Sequence, residues 1–257
     1  MTIAVGMPPA FYDYCKPTLP SEWSEDLLSH SFETRFIYLD GAQVDLLRHG
    51  PLWRGPVWGY TDPAASALID KLEPAFEAFG AEAFVRTQWR SPKDSSLFQR
   101  LKGRFPSPWM AMLALRESRR CQEDVAMLAS VRVLPILVVR RWVPIEPWAE
   151  FRCFIRDRRL IGITHLRNQP SLPPAVRARA GVLHRLIAEY SRTWMDLLPR
   201  DSVVADIVAP DWDGRVLDDA APPRLVLAEL NPWHAMTDAG WFDWRRPDDF
   251  DGSLRCN

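Results

Sequence analysis

Residues 136–168 organise the rest of the chain and read ILVVRRWVPIEPWAEFRCFIRDRRLIGITHLRN. The apolar run over residues 134–139 is typical of a strand that is buried on both faces. Residues 150–155 have the alternation of a strand with one core face. Residues 157–158 then form a turn, and residues 160–164 return as the second strand of a tight hairpin.

Charged residues stand on or beside these strands, where core residues are expected. They are Arg140, Glu150, Arg152 and Arg167. A charge on a core strand is costly unless it is paired or faces a ligand. Taken alone, the pattern favours a structural ion pair between Glu150 and an arginine, and a site for a charged ligand is the alternative. Gly162 in mid-strand predicts a bulge or a close approach to the backbone.

The composition is that of an ordinary globular protein, and it excludes several classes of function. The chain has 257 residues, of which 47% are hydrophobic and 25% charged, with a formal net charge of −1. This charge gives no electrostatic case for binding nucleic acid or an anionic membrane. No apolar run approaches the ~20 residues of a membrane helix and no signal peptide is evident, so we expect a cytoplasmic protein. The cysteines lack C-x-x-C spacing, which favours reduced thiols over a zinc site.

Helix-capping residues and hydrophobic periodicity predict the helices and strands on either side of the central stretch. Residues 61–63 predict a helix start, Pro74 predicts a kink or split, and Gly80 predicts the helix end. A second helix is predicted over residues 107–129 and a long one over residues 173–198. Further strands are predicted at residues 35–39, 84–88, 202–209 and 224–230.

The last two strands carry acidic and amide side chains. In the first, Asp206 shares a face with two valines. In the second, a period of two places four residues on one face, namely Leu225, Leu227, Glu229 and Asn231. If the strands pair antiparallel, Asp206, Glu229 and Asn231 converge as oxygen donors suited to magnesium. An acid pair neutralised by an arginine such as Arg152 is an equally good interpretation.

Several segments resemble, in the same order, the motifs of one known family. They are Phe84-Val-Arg-Thr-Gln-Trp-Arg-Ser-Pro-Lys-Asp, Leu115-Arg-Glu-Ser, Glu150-Phe-Arg-Cys-Phe-Ile-Arg with Leu160-Ile-Gly-Ile, Asp206-Ile, Glu229-Leu-Asn-Pro and Thr237-Asp-Ala-Gly-Trp-Phe-Asp-Trp. The set resembles the cell division cycle protein 123 family, a divergent clade of the ATP-grasp superfamily. The arginine-rich composition resembles a bacterial-type relative within that clade.

The resemblance implies an α+β ATP-grasp fold, in which two α/β lobes with antiparallel sheets enclose the nucleotide. Residues 1–60 would be an N-terminal segment, a candidate part of the substrate-facing lobe. Residues 61–135 would form the smaller lobe, and residues 136–257 the larger lobe with the metal site.

The resemblance also implies ATP and Mg²⁺ as cofactors and assigns residues to them. Arg86 would occupy the first phosphate-binding lysine position, and Lys93 would lie in a mobile loop over the triphosphate. Arg116 would stand at the position of the second nucleotide-binding lysine. The adenine slot would be lined by Val139, Arg140, Arg141 and Trp142. Arg152 would meet the phosphates and, with Lys93, act in catalysis. Magnesium would be held by Asp206, Glu229 and Asn231. The sequence departs from the family at 86 and 116, where arginine replaces lysine, and at 229, where glutamate replaces aspartate.

Two functions remain open. In the first, the protein is an ADP-forming ligase that joins a carboxylate to an amine or related nucleophile through an acyl-phosphate. The substrate is unidentified and could be a peptide or a protein. In the second, it is an ATP-binding assembly chaperone for a protein partner, with little or no catalysis. We expect the ligase.

Overall fold

A computed structural model describes residues 8–49, 62–214 and 222–256. Within these residues the chain divides into two compact units. The first holds the described residues up to Asp13 and those between Glu33 and Trp142, and the second holds Tyr14–Phe32 and the described residues from Val143 onward. The predicted helix start at Thr61 and parts of the predicted segment 1–60 lie outside the described residues. In the described ranges no helix is long and apolar enough to cross a membrane.

The described residues form helices and strands that are interspersed along the chain. The helices are α1 (Pro9–Cys15), α2 (Glu25–Ser29), α3 (Gly41–Arg48), α4 (Pro63–Ala78), α5 (Ser96–Leu101), α6 (Pro108–Glu117), α7 (Arg119–Ser130), α8 (Pro174–Arg177) and α9 (Ala180–Arg192). The strands are β1 (Thr34–Tyr38), β2 (Ala83–Thr87), β3 (Ile136–Arg141), β4 (Glu150–Arg156), β5 (Arg159–His165), β6 (Val203–Val208), β7 (Val226–Pro232) and β8 (Leu254–Arg255).

The first unit is built on a three-stranded antiparallel sheet in the order β1-β3-β2. Alternate residues of β2 and β3, among them Val85, Leu137 and Val139, enter a core with helices α3, α4, α6 and α7. Strand β3 therefore belongs to this unit, and the boundary falls after Trp142 rather than before Ile136. The physical reason is that β3 takes both of its hydrogen-bonding neighbours from the first unit.

The ends of the helices in this unit follow from their capping residues. Asp62 accepts hydrogen bonds from the backbone of Ala64 and Ala65 at the start of α4. Helix α4 continues past Pro74, so the predicted alternative of a split is wrong. The single helix predicted over residues 107–129 is two helices. Ser118, with an extended backbone, ends α6 and caps α7 by accepting a bond from the amide of Cys121.

The second unit contains a five-stranded sheet in the order β7-β6-β4-β5-β8. All its pairs are antiparallel except that of β5 with the short β8, which the sequence analysis did not predict. One face of this sheet packs against α9 and the turn after it, where Trp194 is fully buried. Full burial of a large apolar side chain contributes about 1.5–3 kcal/mol. The two sheets confirm the α+β class with antiparallel pairing.

Two segments of the second unit differ from prediction. The long helix predicted over residues 173–198 consists of α8, α9 and a 3-10 turn at Met195–Leu197. The described part of the N-terminal region is not one segment, because Trp23 and Leu27 lie in the core of the second unit. Burial of these side chains explains why residues 14–32 group with a part of the chain far away in sequence.

The other face of the five-stranded sheet is partly covered by an aromatic cluster from the C-terminal region. Phe154 of β4 lies at its centre, with ring centroids of Phe242 and Phe250 at 5.4 and 4.9 Å. Opposite Phe154, Gly162 leaves space for the Phe242 ring, since an added Cβ would lie 2.7 Å from it. The register also shifts beside this pair. Both a bulge and a close approach, predicted from Gly162 as alternatives, are therefore present.

Candidate functional site

The uncovered part of this face carries a row of charged side chains on three adjacent strands. Arg152 of β4 lies opposite Asp206 of β6, and Asp206 lies opposite Glu229 of β7. Directly opposed residues of antiparallel strands point to the same face of a sheet. The antiparallel pairing on which the predicted convergence depended is therefore confirmed.

A bulge in β7 sets which of its side chains join this row. The register shifts between Asp206 and Ile207: Asp206 lies opposite Glu229 and Ile207 opposite Leu227, so Ala228 is the extra residue between them. The extra residue reverses the alternation, and Leu227 enters the core. The prediction of one shared face was therefore wrong for Leu225 and Leu227, because a strict period of two does not continue through a bulge.

Arg152 and Asp206 form a buried bidentate ion pair. Nε and Nη2 of Arg152 donate to the two carboxylate oxygens of Asp206, each at 2.8 Å. The side chains are 11% and 3% exposed. The third nitrogen of Arg152 donates to the backbone carbonyl of Asp238 at 3.0 Å. These bonds fix the orientation of the guanidinium on the sheet.

Electrostatics keep this guanidinium charged. Burial alone lowers the pKa of Arg152, but the negative charge of Asp206 and the hydrogen bonds to it raise that pKa above its ordinary value. The charges of Glu229 and Glu150 raise the pKa of Arg152 further. Glu150 also accepts a bond from Nε2 of Gln169 at 3.3 Å. The row therefore surrounds one fixed cation with carboxylates.

The oxygen donors of the row have the chemistry of a magnesium site. Asn231 donates from Nδ2 to Asp206 at 3.1 Å, which leaves its carbonyl oxygen as a donor to a metal. The oxygens of Asp206 that accept from Arg152 retain further lone pairs. In the described ranges no group of three or more His, Cys, Asp or Glu side chains is placed to hold a metal. A role of Asp206, Glu229 and the amide of Asn231 as magnesium ligands stays a prediction.

Two residues predicted to contact the nucleotide lie on one face of the three-stranded sheet in the first unit. Arg86 is 6% exposed and donates from Nε to the carbonyl of Thr87 at 3.1 Å and from Nη2 to that of Trp89. Arg140, two residues along on β3 from the partner of Arg86, is 4% exposed and donates to Oγ1 of Thr34 at 3.2 Å. Both guanidiniums are thus held by the protein itself.

The other predicted adenine-slot residues have identifiable structural contacts. Val139 is fully buried, with its side chain in the apolar core and its backbone on the central strand, between Arg35 of β1 and Val85 of β2. Arg141 donates to the carbonyl of Phe79, and its guanidinium lies 5.4 Å from the Phe79 ring centroid. Trp142 donates from Nε1 to the carbonyl of Lys102 at 3.2 Å. A role of these side chains towards adenine stays a prediction.

The loop that carries Lys93 is fastened to the junction of α6 and α7. Asp94 accepts from the hydroxyl of Ser118 at 2.5 Å, and Glu117 accepts from the hydroxyls of Ser95 and Ser96 at 2.6 Å each. Lys93 itself is exposed. The expected mobility of this loop is therefore limited on its C-terminal side. Arg116 is half-buried at the end of α6, one residue before Glu117.

The sequence analysis did not identify several residues that hydrogen-bond to side chains on or beside these strands. Asp124 is fully buried and accepts from Thr87 at 2.7 Å and from Nε of Arg90 at 2.6 Å. Burial raises the pKa of Asp124, while Arg90 opposes that shift. Nothing in the sequence around Asp124, which lies in a helix, indicated that its side chain would be buried and paired. Gln169 and the carbonyl of Asp238 were missed as well, although Thr237-Asp238 belongs to a motif that the resemblance used.

Comparison with known proteins finds curated relatives that match about 70% of this chain. It is 35% identical over 202 residues to a translation initiation factor eIF2 assembly protein from Sclerotinia sclerotiorum, covering 72% of this chain and 46% of that protein. It is 29% identical to cell division cycle protein 123 from Yarrowia lipolytica, covering 69% and 47%. The chain thus spans about half the length of these curated relatives. They give no support to the expected bacterial-type assignment.

One solved structure supports the fold, and the match to another is too weak to do so. C-terminally truncated Cdc123 from Schizosaccharomyces pombe matches with a TM-score of 0.70 and 19% identity, over 94% of this chain and 92% of that one. A RimK domain protein ATP-grasp from Sphaerobacter thermophilus matches with a TM-score of only 0.36, at 12% identity over 80% and 57%, which does not establish a shared fold.

The family assignment rests on sequence. The sequence model of the D123 family matches residues 59–249, which include every predicted site residue. Those residues occupy both units, from Arg86 on β2 to Asn231 on β7. The chain belongs to the D123 family.

Proposed function

We propose that this protein binds ATP with magnesium and assists the assembly of a protein partner. The observation that carries nucleotide binding is the buried pair of Arg152 and Asp206 beside Glu229 and Asn231. A fixed guanidinium next to hard oxygen donors suits a phosphate group and its metal ion. The motif resemblance to the cell division cycle protein 123 clade of the ATP-grasp superfamily supports the choice of ATP.

Each residue of the row would have a separate role in binding the nucleotide. Arg152, held by Asp206, presents a permanent positive charge to phosphate oxygens. Glu229 and Asn231 provide oxygen ligands for magnesium, and Asp206 contributes a third. Bound magnesium would neutralise phosphate charge.

Assembly is supported by the relatives rather than by the geometry. The 35% identical relative is named for the assembly of translation initiation factor eIF2. This favours the second of the two functions open at the level of sequence, and we propose a partner of that kind. The ligase, which we expected, has no comparable support and stays a prediction.

The test of nucleotide binding is a thermal-shift measurement with and without magnesium. A ligand that binds only the folded state raises the melting temperature by mass action. We expect ATP with magnesium to raise it, and Glu229→Gln to remove the part that depends on magnesium. The matched control is Glu189→Gln, which removes an exposed carboxylate from α9. Absence of a shift with ATP or ADP at millimolar concentration would count decisively against this proposal.

The test of assembly uses purified subunits of eIF2 from a species that carries a curated relative. We expect the chain to bind one subunit and to increase the rate at which the complex forms, measured by size-exclusion chromatography. Release of ADP is measured in parallel with pools of amino acids, peptides and polyamines. Stimulated ADP release without any effect on assembly would favour the ligase instead.

A further inference from the structure

The second unit has a groove beside the β4–β5 turn that the proposed function does not use. Its volume is about 510 Å³, and it lies between this turn and the helix α9. We call it the arginine groove. The residues that matter in its lining are Arg158, Arg159, Leu160, Ala188, Arg192 and Met195.

Arg158 forms a fixed wall of the arginine groove. Its three guanidinium nitrogens donate to the carboxylate of Asp201 at 2.8 Å and to the carbonyls of Met195 and Leu198 at 2.8 and 3.1 Å. Its backbone has a φ of +54°, and that of Asp157 is +51°. Two non-glycine residues rarely adopt such angles together, so these bonds hold the turn in an unfavourable conformation. The position of the next residue, Arg159, is thereby set.

Arg159 and Arg192 are the free cations of the arginine groove. Both are exposed, and in the described part of the chain neither makes a hydrogen bond or an ion pair from its side chain. Arg192 continues the stripe of His184 and Ala188 along α9, at spacings of four residues. Two unpaired guanidiniums on opposite walls of one groove suit carboxylates of a ligand.

Part of the lining of the arginine groove is apolar, which restricts the chemical class of the ligand. Leu160 and Ala188 are half-buried, and Met195 is 8% exposed. No Phe, Tyr or Trp side chain is among the lining residues, so stacking of nucleic-acid bases has no platform. Asp196 also lines the groove and would oppose a dense run of negative charge, whether of phosphates or of carboxylates. An acidic peptide with apolar side chains fits better than a nucleic acid.

We propose that the arginine groove binds an acidic, amphipathic peptide segment of a protein partner. Carboxylates of the peptide pair with Arg159 and Arg192, and an apolar side chain packs on Leu160, Ala188 and Met195. The inference goes beyond the proposed function, because it names a surface and a ligand chemistry that nucleotide binding does not require.

The test measures fluorescence anisotropy of labelled peptides with the full chain. The probe is a peptide of alternating glutamate and leucine. One control peptide has glutamine in place of glutamate, and another has serine in place of leucine. Arg159→Gln and Arg192→Gln are each expected to weaken binding of the probe about tenfold. The matched variant Arg156→Gln, which removes an exposed arginine from the same hairpin but not from the groove, should change it less than about twofold.

Each outcome has a defined meaning. Binding of the probe, weaker binding of both control peptides, and loss of affinity with added salt support the proposal. No binding of the probe at millimolar protein overturns it. Equal losses in Arg156→Gln and Arg159→Gln would overturn it too, since they would show a general charge effect. Tighter binding of a single-stranded oligonucleotide of equal length would replace the peptide with nucleic acid. Circular dichroism of each variant confirms that the fold is kept.

Discussion

The substitution Asp206→Asn tests how much the charged row contributes to stability. It removes the negative charge that faces Arg152, whose side chain is only 11% exposed, and leaves a neutral amide between Arg152 and Asn231. Removing one partner of a buried ion pair costs about 3–5 kcal/mol, because the other charge stays buried and has lost its direct partner. For a chain of this length each kcal/mol lowers the melting temperature by about 2–4 °C, so we expect a fall of roughly 6–20 °C.

Calorimetry measures this fall, and two further variants define its cause. The double variant Arg152→Met with Asp206→Leu removes both charges and is expected to cost less than the two single changes added together. Glu82→Gln breaks the exposed pair with Arg104 and should leave the melting temperature almost unchanged. A melting temperature of Asp206→Asn within about 1 °C of the parent would refute the reasoning, since a buried pair cannot be that weak when broken.

Three further predictions concern other parts of the structure. Gly162→Ala places a methyl group against the ring of Phe242 and should cost about 1–3 kcal/mol in urea unfolding, partly recovered by Phe242→Leu; an unchanged midpoint would contradict the close contact. Burial lowers the pKa of His165, so the unfolded chain takes up that proton first as the pH falls. Stability should therefore decrease as the pH drops below about 6.5, and a parallel decrease in His165→Phe would exclude this histidine as the cause. Ser118→Ala removes the cap of α7 and the bond to Asp94, so we expect the free energy of unfolding to fall by about 1 kcal/mol in chemical denaturation. A fall well under about 1 kcal/mol would show that neither bond contributes to stability.

The sequence correctly predicted the elements whose formation depends on residues close together in the chain. The hairpin at Asp157 and Arg158 and the start of α4 after Asp62 follow from alternation and capping over a few residues. The two strands with Asp206 and Glu229 were also predicted, because their apolar runs are distinct.

The parts that failed depend on partners far away in sequence. No local pattern shows that Ala228 is the extra residue of a bulge, since its position depends on how β7 meets β6. The position of β3 in the first unit depends on its pairing with β1 and β2. The sequence named Arg152 only as one candidate partner of the acidic residues, because the register that places it opposite Asp206 was not available from either strand.

The path of the chain between the two units has a consequence for its synthesis. The second unit takes Tyr14–Phe32 from one part of the chain and the residues after Val143 from another, whereas most of the first unit is continuous from Glu33 to Trp142. Domains generally fold as units while the chain emerges from the ribosome. The first unit can therefore finish early, while Trp23 and Leu27 emerge long before the strands that bury them. Until those strands arrive, these apolar side chains have to be shielded in another way, which makes this the stage at which a nascent chain is most exposed to aggregation or to a chaperone.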